Sequence, residues 1–161
     1  MPRTIQLTLS PRLLGSLVAA ALCLGLGAPA QAQDAAANSP VGTWQTLDEQ
    51  TGQAKALIEI TQQADGTLSG KVIKEFKPND GASLRCIACS DARKDQLVQG
   101  MTIIDGMKHN GDDWDGGHIL DPESGKVYTC LMHIEDGGKT LIVRGYIGTP
   151  MLGRSKTWHR A

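Results

Sequence analysis

The sequence predicts an all-β domain: an eight-stranded antiparallel up-and-down barrel with one long loop at about residues 76–100. Three observations predict it. Apolar residues recur with a period of two rather than 3.6, turn residues separate the runs at short intervals, and no long helical pattern is available for parallel crossovers. Composition agrees with one small domain. The 161 residues are 40% hydrophobic, which excludes a disordered chain, and 19 glycines without a tripeptide repeat exclude a collagen-like one. With 16 basic and 17 acidic side chains, the net charge of −1 lacks the basic excess of a nucleic-acid binder.

The elements follow in order. Residues 1–32 carry Arg3 and Arg12, an apolar run from Leu13 to Ala30 and the small-residue pair of Ala30-Gln31-Ala32, with no acid before Asp34. This is the pattern of a secretory signal peptide cleaved after Ala32, so the expected location is periplasmic or secreted. The apolar run is shorter than the roughly 20 residues of a membrane span and rich in Gly and Ala, so no span is expected after cleavage. Residues 33–40 have no apolar period and read as a flexible lead-in to a single barrel domain at 41–161.

Strands are expected near 42–48, 54–62, 67–75, 101–107, 114–121, 126–135, 139–147 and 154–160. Ala54, Ala56, Ile58 and Ile60 share one face of the second, and Asp65-Gly66 closes a hairpin to Leu68, Gly70 and Val72. The loop that follows holds Asn79-Asp80-Gly81, Cys86, Cys89 and a charged group around Asp91 to Asp95, with a short helical turn expected from a Ser90 cap. Asp121-Pro122-Glu123-Ser124-Gly125 makes a turn. Val127, Thr129 and Leu131 then alternate with Tyr128, Cys130 and Met132. After Asp136-Gly137-Gly138, Leu141, Val143, Gly145 and Ile147 alternate with Ile142, Arg144 and Tyr146. Eight such strands can close and remove both edges; a two-sheet sandwich has the same periodicity.

Specific wording adds to the pattern. Gly42-Thr43-Trp44, Trp114-Asp115-Gly116-Gly117-His118-Ile119-Leu120-Asp121-Pro122, Gly125-Lys126-Val127-Tyr128, Leu141 to Gly148, and Leu152-Gly153-Arg154 with Trp158 and Arg160 closely resemble the exported bacterial proteins grouped as domain of unknown function 2147. The resemblance covers nearly all of the chain after the leader. It implies a lipocalin-like, or more broadly calycin-like, barrel and no agreed activity. It also implies that Trp44 plugs the closed end of the barrel with a late Arg across its ring. Arg160 is the candidate, and Arg154 shares its strand face. The pair Cys86 and Cys89 belongs to part of that family, so it cannot be the shared function.

Candidate chemistry is sparse. After the leader the cysteines are Cys86, Cys89 and Cys130, an odd number in an oxidising compartment, and three pairings are open. A bridge between Cys86 and Cys89 would contribute about 2 kcal/mol on the loop-entropy model, and one between Cys86 and Cys130 about 4 kcal/mol. A redox Cys-x-x-Cys needs a strand before it and a helix after it, and a polar loop precedes Cys86. Zinc would need two more ligands from Cys130, His109, His118 or His133, none of which forms a second pair at ligand spacing. Asp112, Asp113 and Asp115 lack the spacing of a calcium loop and read as a solvated hairpin tip. No Gly-x-Ser-x-Gly elbow is present, and nothing fixes Asp115 and Asp121 in one cleft, so no catalytic residue, metal or cofactor is assigned.

The leading expectation is a binder or carrier of a small hydrophobic or lipid-like molecule. Its candidate site comprises Ile58, Ile60, Val72, Tyr128, Leu131, Val143, Arg144 and Tyr146, with Arg144 and the tyrosines as a polar handle among apolar walls. The competing reading, an outward strand cation paired with a neighbouring carboxylate, is the favoured one for Arg144 by itself, since strand arginines are mostly exposed. Two other functions compete: a structural or interaction barrel filled by its own side chains, and a thiol-redox or metal protein using the Cys-x-x-Cys loop. Gly70, Gly117 and Gly145 either leave room in the lumen or mark bends.

Overall fold

The computed structural model describes residues 38–76 and 83–161. The leader and most of the lead-in lie outside these residues, as does Asn79-Asp80-Gly81. Eight strands form a closed antiparallel barrel in sequence order: β1 (Gly42–Leu47), β2 (Ala54–Gln62), β3 (Leu68–Glu75), β4 (Thr102–Asn110), β5 (Asp113–Asp121), β6 (Lys126–Glu135), β7 (Thr140–Tyr146) and β8 (Arg154–Arg160). Two 3₁₀ turns, at Asp136–Gly138 and Pro150–Leu152, join the last strands. The sandwich alternative is thereby excluded, and every expected strand is present with its ends shifted by at most a few residues.

Local chemistry explains the hairpins. Asp65 accepts from the backbone N–H of Thr67 at 3.0 Å, and Gly66 adopts φ +84°, so the expected Asp-Gly turn forms. Asp121 accepts from the Glu123 N–H and the Ser124 hydroxyl, which fixes the β5–β6 turn. The expected Ser90-capped helix does not form. Asp91 instead accepts from the Arg93 N–H at 2.9 Å, and the Lys94 N–H reaches the Asp91 carbonyl, giving an isolated turn.

The ladder closing β8 onto β1 is short, pairing Trp44 with Arg160 and Gln45 with His159. Side chains reinforce this seam. The Arg160 guanidinium lies 4.2 Å from the ring centroid of the fully buried Trp44, and the Trp44 indole N–H donates to the Pro40 carbonyl at 2.7 Å. Arg160 also donates to the carbonyls of Gly138, Val41 and Ser39. Burial pushes its pKa down, and those carbonyls and the indole face stand in for lost water. Gly42 is required here: its φ is +132°, and a Cβ would sit 2.7 Å from Arg160 Nη1. Arg160, not Arg154, is therefore the residue across Trp44. The described end of the lead-in is held rather than free, since Pro40 is buried and Ser39 binds Arg160.

Inward-facing Trp44, Ile60, Leu68, Met107, Met132, Leu141 and Trp158 pack the closed half of the lumen. The absent side chains of Gly70 and Gly117 leave no space there. A Cβ at Gly70 would meet Ile104 at 3.1 Å, and one at Gly117 would meet the Asp105 carbonyl at 2.3 Å and Met107 Sδ at 2.5 Å. Both lie beside register shifts, so they serve close approach and bending.

Candidate functional site

The opposite end is built by the last residues of β1, β3, β5 and β7 and the first of β2, β4, β6 and β8. Register assigns its inner wall. Trp44 pairs with Ile58 and Ile58 with Val72, so Ala56, Ile58, Ile60 and Val72 face inward along β2 and β3. Across the lumen, Ile119 pairs with Tyr128, Cys130 with Gly145, and Met132 with Val143. A Cβ on Gly145 would touch Tyr128 and Ile119, which confirms their shared face. Ala56, Ile119, Tyr128 and Gly145 keep partial solvent exposure, whereas Ile58, Val72 and Val143 are buried. The inward-facing residues are thus buried at one end and partly exposed at the other.

The structure turns five of the eight candidate residues inward, Ile58, Ile60, Val72, Tyr128 and Val143, of which Ile60 packs in the closed half. It places Leu131, Arg144 and Tyr146 on the outer face, because Leu131 pairs with Arg144 and Thr129 with Tyr146 one residue out of phase with the inward set. Arg144 pairs with no carboxylate among the described residues either. It donates to the Pro150 carbonyl at 2.7 Å and the Ser155 hydroxyl at 2.9 Å, pinning the Pro150–Leu152 turn.

One mouth residue escaped the sequence reading. A bulge between Val72 and Lys74 shifts β3 by one residue, so Glu75 pairs with inward-facing Ala56. Strict alternation from Leu68, Gly70 and Val72 would have placed Lys74 inside. Glu75 Oε1 is buried and has no hydrogen-bond partner among the described residues. Around the rim, Lys156 pairs with Glu49 at 3.2 Å, and Lys55 with Glu123 joins elements three strands apart.

The long loop folds back outside the barrel. Cys86 and Cys89 form a disulfide and are buried, and Cys86 Sγ lies 3.3 Å from the Pro122 carbonyl. Gly125, at φ +67°, accommodates the loop, since a Cβ there would sit 2.1 Å from the Ala88 carbonyl oxygen. Leu120, on the outer face of β5, is consequently 2% exposed. An open cleft of about 510 Å³ beside this loop is lined by Arg85, Arg93, Gln96, Leu97 and Gln99 among others. Its arginines are engaged: Arg85 donates to the Asp95 carbonyl, and Arg93 grips Asp91, holding that carboxyl down to about 2.

Cys130 is the remaining cysteine among the described residues and is buried in the lumen wall. Burial, with a smaller contribution from the Asp105 carboxylate, pushes its thiol up to about 12, so it stays protonated and unreactive. Cys130 faces inward while His133 binds Asp113 at 2.6 Å outside, as their spacing required. No group of three or more acidic, His or Cys ligands converges among the described residues. Replacing Cys86 and Cys89 together by Ser is expected to lower stability by about 2 kcal/mol on the loop-entropy model. Thermal unfolding checks this. Thiol titration of protein lacking residues 1–32, and with them Cys23, should find no reactive cysteine until the fold opens.

Comparisons with known proteins bear on the fold and the family. The chain is similar to a solved structure titled "Protein HP1028 from the human pathogen Helicobacter pylori belongs to the lipocalin family", at 16% identity and a TM-score of 0.63. The alignment covers 76% of this chain and 83% of that one. No curated protein matches. Among the described residues no helix is long and apolar enough to cross a membrane. Residues 42–160 match the family model described as "Uncharacterized protein conserved in bacteria (DUF2147)", the whole span from the first strand to the lock arginine, and the chain belongs to that family.

Proposed function

We propose that this chain is an exported, periplasmic or secreted carrier of a small, mainly apolar molecule held in the open half of the barrel. The observation that carries the reading is the division of the lumen. One end is plugged by Trp44 and packed by methionine and tryptophan. The other leaves the inward-facing Ala56, Ile119, Tyr128 and Gly145 partly exposed over an apolar floor of Ile58, Val72 and Val143. A lipocalin-like fold is compatible with such a role. The leader-like residues 1–32 support export.

Magnitudes set the expected affinity. Burying about 300 Å² of apolar ligand surface gives roughly 7 kcal/mol, against an association cost of at least about 4 kcal/mol. Apolar contact alone yields weak binding, so the Tyr128 hydroxyl, Glu75 and the Arg154 and Lys156 side chains that pair across from Gly145 and Val143 are polar groups available to strengthen it.

A hydrophobic reporter dye should bind the parent at one saturable site and be displaced by fatty-acid-like competitors. Ala56→Trp fills the mouth from a half-exposed position, so it should abolish dye binding while moving the melting temperature little. A parent that takes no dye would sink the carrier reading and leave a barrel filled by its own side chains, which the packing of the closed half favours.

A further inference from the structure

One buried polar atom on the inner wall has no partner. Among the described residues, Glu75 Oε1 is the buried side-chain oxygen or nitrogen that makes no hydrogen bond. A carboxyl oxygen taken out of water without a donor is destabilising, so its surroundings call for one. Its place is well fixed. The bulge after Val72 turns Glu75 inward, opposite Ala56. The Glu75 N–H donates to the Gln99 side chain at 3.4 Å, and the Phe76 N–H donates to the Lys55 carbonyl at 2.9 Å. The end of β3 is thereby tied to the long loop and to β2. The orphaned oxygen is a held feature of the mouth, not the product of a frayed strand end.

Charge at the mouth narrows what could meet it. Lys156 pairs with Glu49 and Lys55 with Glu123. Asp121 accepts from its own turn and has Lys126 directly across the ladder. Two groups of opposite sign remain on the inner face. Glu75 is the last residue of β3 and Arg154 the first of β8, so both stand at the mouth rim. Arg154 lies opposite Gly145, and its side chain has no ion pair or hydrogen bond among the described residues. Two strands separate them on one side and four on the other, so they flank the opening. On the shorter side Ala56 is small, and the Thr46 hydroxyl is engaged with the Ala56 backbone. An anionic head alone would suit Arg154 and be repelled by Glu75, and a cationic head alone would do the reverse. A head that carries both charges satisfies both groups.

We propose that the carried molecule is a single-chain amphiphile with a zwitterionic head. Its primary ammonium group donates to Glu75, its acidic group meets Arg154, and its chain lies over Ile58, Val72 and Val143. The proposal rests on the carrier reading and names the class of molecule carried.

The test is displacement of the hydrophobic dye by lauroyl lysophospholipids at monomeric concentrations. Lysophosphatidylethanolamine and lysophosphatidylcholine share chain, phosphate and net charge, but only the first has ammonium N–H groups. The parent should bind the first about tenfold more tightly, the worth of one charged hydrogen bond. Dodecanoate and dodecylamine, each with half of the head, should both bind more weakly than it does. Glu75→Gln should erase the preference for ethanolamine over choline, and Arg154→Gln should weaken both lysolipids and dodecanoate severalfold. Glu59→Gln, exposed on the outer face of β2, should keep the parent's preference. Melting curves establish that the variants fold, and the parent's own preference needs no variant. Equal binding of the two lysolipids means that water alone meets Glu75 and overturns the inference. So does a preference that survives Glu75→Gln, or dodecanoate binding as tightly as lysophosphatidylethanolamine. Each of these leaves the carrier reading standing, whereas a parent that takes no dye overturns both.

Discussion

Trp44→Ala should remove about 3–5 kcal/mol of stability, roughly a fifth or more of what a domain of this size possesses. The indole is fully buried, makes its own hydrogen bond to Pro40 and lies on the two-pair ladder between β1 and β8. Deleting it opens a cavity at the point where the barrel has fewest backbone bonds to hold it shut. The melting temperature should fall by roughly 10–20 °C. Arg160→Ala should do less, because its carbonyl partners at the barrel end can recruit water. A double-mutant cycle isolates the contact. A coupling of about 0.5–2 kcal/mol is expected for a guanidinium over an indole. Strict additivity of the two substitutions would mean that the stacking contributes nothing and Trp44 acts only by filling space.

Val143→Glu carries the other large effect. Val143 is 3% exposed and faces the lumen opposite Met132. The cross-strand neighbour on that face is Lys156, which already pairs with the exposed Glu49, so a carboxylate buried at 143 is only partly compensated and loses stability or stays protonated. The sign of the pH dependence follows. The folded-state pKa is raised above that of the unfolded chain, so the fold is least penalised below about pH 4.3 and loses stability as the pH rises above that value. Denaturant midpoints at pH 4 and pH 7 should separate more widely for this variant than for the parent. Arg144→Glu, one residue on, serves as the contrast. It should lose about 1–2 kcal/mol from the bonds to Pro150 and Ser155, with no comparable growth toward neutral pH. Equal behaviour of the two variants would contradict the inward and outward assignment.

The two expectations differ in how visible they were beforehand. Trp44 and Arg160 stood out through a resemblance, and the geometry joined them. Val143 stood out through alternation, but so did Leu131, Arg144 and Tyr146, and those three face outward. Strands β6 and β7 carry apolar residues on both faces, so a period of two separates the faces without saying which is inner. Ala56 was equally visible on the Ile58 face and went unused. Glu75 had no signal at all, because it turns inward only through the bulge after Val72.

By itself the sequence determined the strands, their order and most of the turns, because alternation and Asp-Gly chemistry act within a few residues. Tertiary structure alone decided closure into a barrel over a sandwich, the inner face of β6 and β7, the inward swing of Glu75 and the disulfide partner of Cys86. It also decided the burial of Leu120 on the outer face of β5. Apart from the Cys86–Cys89 bridge, which spans three residues, these depend on contacts between residues far apart in the chain. One bulge reverses the phase of everything after it, and a returning loop can bury a face that the local pattern assigns to water.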